Sequence, residues 1–352
     1  MTGLFLALGP EGFGTYKRSE DGTLSPTPGT PDGILVPGLV DVHIHGAYGL
    51  DFMSNTPQQS TELCDKLASI GYEALLPTTV TSSAANVQNF LANLPEHPLI
   101  AGFHLEGPFI SPEFPGAQPQ SSIVSYAAAF DEWQPVLEDP RLRVVTLAPE
   151  IDGHLSLIEN LSSKGVTVSL GHTAATEYDA HRAFRAGATQ TTHTFNAMRP
   201  LHHREPSLLG AAMVNDDVQC ELIYDRAHVA RPVADILIRC KGTHGVLAVS
   251  DCSAAAGMPD GHKFEMWGHK VVLRNGNVVI DFADEHKSTL AGSTATLYDC
   301  FKNMWSDFGP EVAIRTCCLN PRHVARVDPD PSTWLILDHR LEICERLTAD
   351  RP

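Results

Sequence analysis

At 352 residues, with 43% hydrophobic and 19% charged residues, the chain can bury a sizeable core, and its composition excludes disordered and collagen-like classes. A formal net charge of −17 disfavours a nucleic-acid partner, since phosphate backbones are held by lysine and arginine, and it requires any anionic ligand to be met by local cations and backbone N–H groups. No apolar run approaches the ~18 residues needed to span a bilayer. The apolar opening Gly3–Leu8 lacks a basic flank and a small-residue cleavage site, so an untargeted, cytoplasmic chain without a membrane partner is expected.

Residues 1–34 read as short strand-like fragments separated by Gly, Pro, Asp and Ser turns. From Leu35 onward, β-branched apolar runs alternate with segments of helical period. The runs are Val36–His45, Glu73–Thr79, Ile100–Glu106, Arg143–Ala148, Gly165–His172, Ala188–His193, Gln219–Tyr224 and Gly245–Ser250. Helices are predicted between them at Pro57–Ile70, Ser83–Leu94, Ser122–Leu137, Gly153–Ser163, Thr176–Ala186 and Arg231–Lys241, several with Pro, Ser, Thr or Asp near the start. A Gly-rich excursion at Met258–Gly292 precedes a further helix at Ser293–Phe308. The pattern predicts an α/β chain: a (β/α)8 TIM-type barrel over 35–325, with a small β-sandwich-like appendage built from 1–34 and 326–352. The eight cysteines are scattered without a C-x-x-C pair, as reduced thiols would be, and Cys317-Cys318 reads as core filling.

In parallel barrels the catalytic groups sit where strands end, because the following loops form the open face. Polar residues collect at those ends: His43 and His45 on the first strand, Glu106 on the third, His172 on the fifth, His193 on the sixth, Asp225 and His228 on the seventh, Asp251 on the eighth. Histidines at i and i+2 of a strand share a side, so His43 and His45 can face one ion, although a single H-x-H is more often a polar strand end. Glu106, His172 and His193 supply the carboxylate-and-imidazole mix of catalytic metal sites; singly, each could be a loop cap or a hydrogen-bonded rim residue. Asp251 could cap a loop, or could accept a proton from water beside a metal.

The segments Pro37-Gly38-Leu39-Val40-Asp41-Val42-His43-Ile44-His45-Gly46, His104-Leu105-Glu106-Gly107-Pro108-Phe109, Gly171-His172-Thr173, Phe195-Asn196-Ala197-Met198 and Leu290-Ala291-Gly292-Ser293 resemble the signatures of N-acetylglucosamine-6-phosphate deacetylases, within the amidohydrolase superfamily. The resemblance runs in order from about Leu35 to Pro321. It implies hydrolysis of the N-acetyl amide of N-acetylglucosamine 6-phosphate to glucosamine 6-phosphate and acetate, by metal-activated water. It implies a divalent metal on Glu106, His172 and His193, with zinc first and iron or another divalent ion as alternatives, and Asp251 as general base and acid. Because His43 and His45 are kept, a second ion bridged through Glu106 is open, so one or two ions per subunit are allowed. The resemblance further implies a sugar phosphate gripped by Asn196, Ala197, His228 and an Arg204 reaching in from a neighbouring subunit of a homodimer or higher homo-oligomer. Ala117 and Gln118 would line the sugar, and Leu290, Ala291 and Gly292 would close over it. His228 could instead polarise the acetyl carbonyl.

Arg226 stands where the family commonly has glycine and would crowd the seventh loop or add a cation beside the phosphate. The segment before the first barrel strand is short for the family, so a reduced appendage is expected. Amidohydrolases that bridge two metals with a fourth-strand lysine are disfavoured, because that strand reads Val144-Val145-Thr146-Leu147-Ala148-Pro149. The epimeric N-acetylgalactosamine 6-phosphate and other N-acyl compounds remain alternative substrates. A non-catalytic sugar-phosphate sensor ranks below the enzyme, because all the acid/base and ligand residues are present. Gly9–Gly14 lacks the Lys-Ser/Thr that a phosphate-binding loop requires.

Overall fold

A computed structural model describes residues 3–19, 21–281 and 289–348. Residues 282–288 of the predicted excursion and 349–352 of the predicted appendage lie outside the described residues, as do 1, 2 and 20. Among the described residues, no helix is long and apolar enough to cross a membrane.

The strands Phe103–Glu106, Leu142–Leu147, Thr167–Leu170, Gln190–Thr191, Gln219–Ile223 and Val246–Val249 pair in sequence order as one parallel six-stranded sheet. Leu39–Ile44 and Tyr72–Pro77 form a separate parallel pair. Single parallel bridges join the pair to both edges of the larger sheet: Leu75 to Ile100 and Thr78 to His104 at one edge, Ile44 to Cys252 at the other.

Helices cover the sheet where local signals demand them. Pro57–Ser69 starts on a Thr56/Gln59 capping box with Pro57 in its first turn, where proline's missing N–H costs nothing. Glu177–Ala186 starts on a Thr176/Asp179 box and stops at Gly187, whose φ of 112° suits glycine. Arg231–Lys241 has the predicted bounds, and Ala84–Asn93 and His154–Ser163 lie within theirs. Tyr126–Leu137 begins four residues later than predicted, since the preceding stretch forms a pocket loop with only a short turn at Gln120–Ser122. Leu297–Phe308 also starts late, capped by Thr296, because Ser293 pairs with Asp251 and Ser253 instead.

The predicted first strand is divided. Gly33–Pro37 pairs with Gly3–Gly9 and Thr333–Leu337, and only Leu39–Ile44 joins the parallel layer. The break is at Gly38, where a Cβ would come within 2.6 Å of Glu73 Cβ. The terminal segments build one six-stranded sheet, in the order Ile343–Thr348, Thr333–Leu337, Gly33–Pro37, Gly3–Gly9, Gly12–Arg18, Leu24–Pro26, rather than two facing sheets. The excursion after Val246–Val249 is an antiparallel sheet of Lys263–Met266, His269–Arg274 and Asn277–Ile280. Cys317 and Cys318 are fully buried in the core, where they act as the core filling expected of them.

Candidate active site

The strand ends bring six titratable side chains into one buried cluster: His43, His45, Glu106, His172, His193 and Asp251, none more than 7% exposed. His172, His193 and Asp251 each follow a short strand by two residues and adopt positive φ, at 47°, 29° and 46°. Non-glycine residues seldom take that conformation, and here it turns three side chains off the strand direction into a common centre.

Glu106 is the hub. Its Oε1 lies 3.2 Å from His172 Nε2, 3.1 Å from His193 Nε2 and 3.5 Å from His43 Nε2, and its Oε2 lies 3.4 Å from His45 Nε2. Asp251 Oδ1 is 3.1 Å from His45 Nε2 and 3.5 Å from His43 Nε2.

The far ring nitrogens decide what this cluster can hold. His172 Nδ1 faces Phe114 O at 3.0 Å, His45 Nδ1 faces Thr78 O at 3.2 Å, and His43 Nδ1 faces Glu221 Oε2 at 3.0 Å. Those oxygens only accept, so the Nδ1 atoms carry hydrogen, and the neutral tautomer of each ring leaves a bare Nε2 lone pair aimed at carboxylate oxygens. Lone pairs crowded against carboxylates in a buried site need a cation between them. His172 Nε2 and His193 Nε2 are 3.1 Å apart, and His43 Nε2 has no hydrogen-bond partner. Two ligand triads share Glu106: with His172 and His193, and with His43 and His45. The donor set of imidazoles and a carboxylate fits a divalent transition metal.

Protonation meets the same need in the metal-free protein. Burial opposes charge on His45, but hydrogen bonds to Asp251 and Glu106 outweigh it and raise its pKa to about 9. Burial alone would raise Glu106, yet His43, His172 and His193 hold it well below the usual carboxylate range. Asp251 is lowered as well, burial being outweighed by His43 and His45. His104, whose ring centroid is 4.6 Å from that of His43, is pushed down by burial and by that neighbour. It stays neutral, with Nδ1 donating to Val42 O and Nε2 accepting from Thr146 Oγ1 at 2.7 Å.

A cavity of about 290 Å³ opens above the cluster. Ala117, Gln118, Asn196, Ala197, His228, Leu290 and Gly292 line it together with His45, Glu106, His172, His193 and Asp251. Gln118 also braces the hub: its Nε2 donates to Glu106 Oε2 at 2.6 Å while its Oε1 accepts from Thr81 N at 2.7 Å. His228 Nδ1 donates to Asp225 Oδ2 at 2.7 Å, and that oxygen also accepts from Ser293 Oγ, so His228 is held with Nε2 free to face the cavity. Burial opposes its protonation, but Asp225 raises its pKa.

Three residues lie elsewhere. Ala291 is 1% exposed and packs into the core beneath the inserted sheet, with its N–H on Val278 O. Arg204 is exposed on its own chain, where it meets His203 Nε2 at 2.8 Å rather than the cavity. Arg226 turns outward to Asp307 at 2.8 Å and lines no part of the cavity, so it neither crowds the loop nor adds a cation there. Its φ of 68° explains why glycine suits that position.

Two residues escaped the sequence reading. Glu221 is fully buried in Gln219–Ile223, and its Oε2 accepts from both His43 Nδ1 and His193 N while Gln190 Nε2 binds its Oε1. A lone glutamate inside an apolar strand was the available signal, since a buried charge needs a partner. Trp267, from the inserted sheet, packs on His45; nothing in its local sequence marked it.

The profile of the Amidohydrolase family matches residues 34–326. The chain belongs to the amidohydrolase family. An N-acetylglucosamine-6-phosphate deacetylase of Bacillus subtilis (strain 168) is 34% identical over 284 residues, covering 78% of this chain and 70% of the relative. An N-acetylgalactosamine-6-phosphate deacetylase of Escherichia coli O157:H7 is 34% identical over 304 residues, covering 84% and 79%. The crystal structure of the N-acetylglucosamine-6-phosphate deacetylase of Thermotoga maritima superposes with a TM-score of 0.84 at 27% identity, over 98% of this chain and 96% of that one. A mutant of the Mycobacterium smegmatis deacetylase, in complex with N-acetyl-D-glucosamine-6-phosphate, superposes with a TM-score of 0.82 at 27% identity, over 99% and 98%. This amidohydrolase therefore shares its α/β architecture with sugar-phosphate deacetylases along nearly its whole length.

Proposed function

We propose that this amidohydrolase hydrolyses the N-acetyl amide of N-acetylglucosamine 6-phosphate, releasing acetate and glucosamine 6-phosphate in cytoplasmic amino-sugar catabolism. The observation that carries the reading is Asp251 beside the Glu106–His172–His193 triad at the floor of one sugar-sized cavity. Glu106, His172 and His193 would hold a divalent ion, zinc first and iron or another divalent ion next, with His43 and His45 available for a second. Such an ion polarises a carbonyl and lowers the pKa of water.

The remaining steps belong to the chain. Asp251 accepts the proton of the attacking water and returns it to the nitrogen as the C–N bond breaks, because an amide nitrogen leaves only when protonated. Its acceptor position is kept by His45, 3.1 Å away. Glu106 is held in place by Gln118, and His43 by Glu221. His228, locked by Asp225 and protonated with its help, offers Nε2–H to a substrate oxygen, on the phosphate or the acetyl carbonyl. Asn196 and Ala197 face the sugar phosphate, and Arg204 reaches it from a neighbouring subunit, so the working unit is a homodimer or larger. Ala117, Leu290 and Gly292 enclose the sugar.

The scaffold of this reading is a closed (β/α)8 TIM-type barrel up to residue 325 whose first strand starts after Gly38, with the terminal segments as a small β unit. The bridges at Ile44, Leu75 and Thr78 support closure. N-acetylgalactosamine 6-phosphate is the second candidate substrate, favoured by the 34% identity to the Escherichia coli relative.

Acetate release from N-acetylglucosamine 6-phosphate, measured before chelation, after chelation and with divalent metal restored, tests the reading. Metal-restorable turnover that falls sharply on the unphosphorylated sugar is expected. No turnover by metal-loaded protein on either hexosamine 6-phosphate would overturn it.

A further inference from the structure

Trp267 stands at the tip of the sheet inserted after Val246–Val249. Met266 pairs with His269, so Trp267 and Gly268 form a two-residue turn, with φ of 55° and 78°. Two positive φ values define a type I′ hairpin turn, which Asn, Asp and Gly fill readily and a bulky aromatic resists. A tryptophan kept in that conformation needs a reason beyond the turn.

The indole is fixed from three sides. Its Nε1–H donates to Asp51 Oδ2 at 3.0 Å, and its ring meets the His45 imidazole edge-on at 4.9 Å between centroids. Its Cη2 lies over Gly292, where a Cβ would come within 3.1 Å. The ring thus runs from the first-strand loop to the loop closing over the sugar. It lines two cavities at once: the catalytic one of about 290 Å³ and a neighbouring one of about 760 Å³ that Asp51, Met53, Thr81 and Phe264 also bound.

The direction of the substrate follows from its own chemistry. On the deacetylase reading the phosphate lies toward Asn196 and Ala197, which follow Gln190–Thr191, whereas Trp267 packs on His45 at the end of Leu39–Ile44. In a hexopyranose the substituents on C2 and C5 lie on opposite sides of the ring. A sugar with its 6-phosphate toward Asn196 and Ala197 therefore sends its 2-acylamino tail toward Asp251 and the Trp267 that packs on His45 beside it. We propose that Trp267 is a specificity-determining wall that restricts the N-acyl group to acetyl by partitioning the catalytic cavity from its larger neighbour, into which longer acyl chains would otherwise extend. This inference rests on the deacetylase reading above.

The test compares kcat/KM for N-acetyl-, N-propionyl- and N-butyryl-glucosamine 6-phosphate in metal-loaded wild type, Trp267→Ala, Trp267→Leu and Trp267→Phe. A methylene is worth roughly 10- to 200-fold in a snug pocket, so wild type should prefer acetyl over butyryl by ~100-fold or more. In Trp267→Ala that preference should collapse to within about 10-fold, at a site where the excluded methylenes gain room. Trp267→Phe, which keeps a ring, should hold most of it. Trp267→Leu, which keeps apolar packing at the hairpin tip, carries the same expectation as alanine if the smaller residue impairs folding. Acetyl turnover with an unchanged acyl preference in the folded alanine or leucine variant would overturn this inference alone. Wild type that takes butyryl as readily as acetyl would do the same. A metal-loaded wild type inactive on all three amides would remove the deacetylase reading and the inference together.

Discussion

Glu73 and Glu106 are buried almost equally, at 3% and 2% exposure, yet they sit at opposite ends of their parallel strands among opposite kinds of neighbour. Glu73 is ringed by donors. Arg322 grips it at 2.9 and 3.1 Å, and Ser332 adds its N–H at 3.0 Å and its hydroxyl at 2.8 Å. Arg322 spends further hydrogens on the carbonyls of Asp328 and Asp330. This clasp ties the strand layer to the C-terminal segment and is complete in itself. Glu106 has one fixed donor, Gln118 Nε2 at 2.6 Å, and is otherwise ringed by imidazole Nε2 atoms, with the Nδ1 hydrogens of His43, His45 and His172 pointing away. A buried charge satisfied by fixed donors is a structural joint, whereas one crowded by lone pairs must be completed by an exchangeable cation and becomes a reaction centre.

The largest expected effect isolates chemistry from both charge clusters. Asp251→Asn should lower kcat by about 10²- to 10⁴-fold, the usual worth of a positioned proton carrier, while metal content stays near wild type. Near-native acetate release by this variant would remove Asp251 from the proton path.

The two glutamates can then be exchanged for glutamine in turn. Glu73→Gln should cost about 3–5 kcal/mol in denaturant unfolding, because it leaves the buried Arg322 charge uncompensated, and should leave metal affinity intact. Glu106→Gln should abolish metal retention yet destabilise the chelated protein far less. If both variants unfold the chelated protein alike, the distinction between joint and reaction centre fails.

Glu221→Gln sharpens the comparison at its edge. Glu221 orients His43 through Nδ1 and never meets the cavity, so its replacement should weaken metal binding by about 10- to 100-fold, read by competition with a chromogenic chelator. Unchanged affinity would reduce Glu221 to a packing role.

The smallest effect concerns the Asp225–His228 pair. Burial opposes the Asp225 charge, but His228 lowers its carboxyl from 3.8 to about 2, so its contribution is present above 3.8 and lost as pH falls toward 2. His228 is raised above 6.5, so its share is complete below 6.5 and lost as pH rises through the folded value. The Tm gap between wild type and Asp225→Asn should therefore be widest between about pH 4 and 6.5 and narrow on both sides. A gap constant across pH would show that the charge interaction contributes nothing.

The sequence by itself determined the alternation of strand and helix, because apolar period and capping boxes such as Thr56/Gln59 and Thr176/Asp179 act within a few residues. It also marked the strand-end residues Glu106, His172, His193 and Asp251, since chemistry in parallel layers gathers where strands stop. Only the tertiary structure decided how those groups meet. The positive φ of His172, His193 and Asp251, the 178-residue separation of His43 and Glu221, and the outward turn of Arg226 are outcomes of chain closure, which no local window contains. The same holds for the close approach of Glu73 to Gly38, where the first strand divides, and for Trp267, whose Asp51 partner lies 216 residues away.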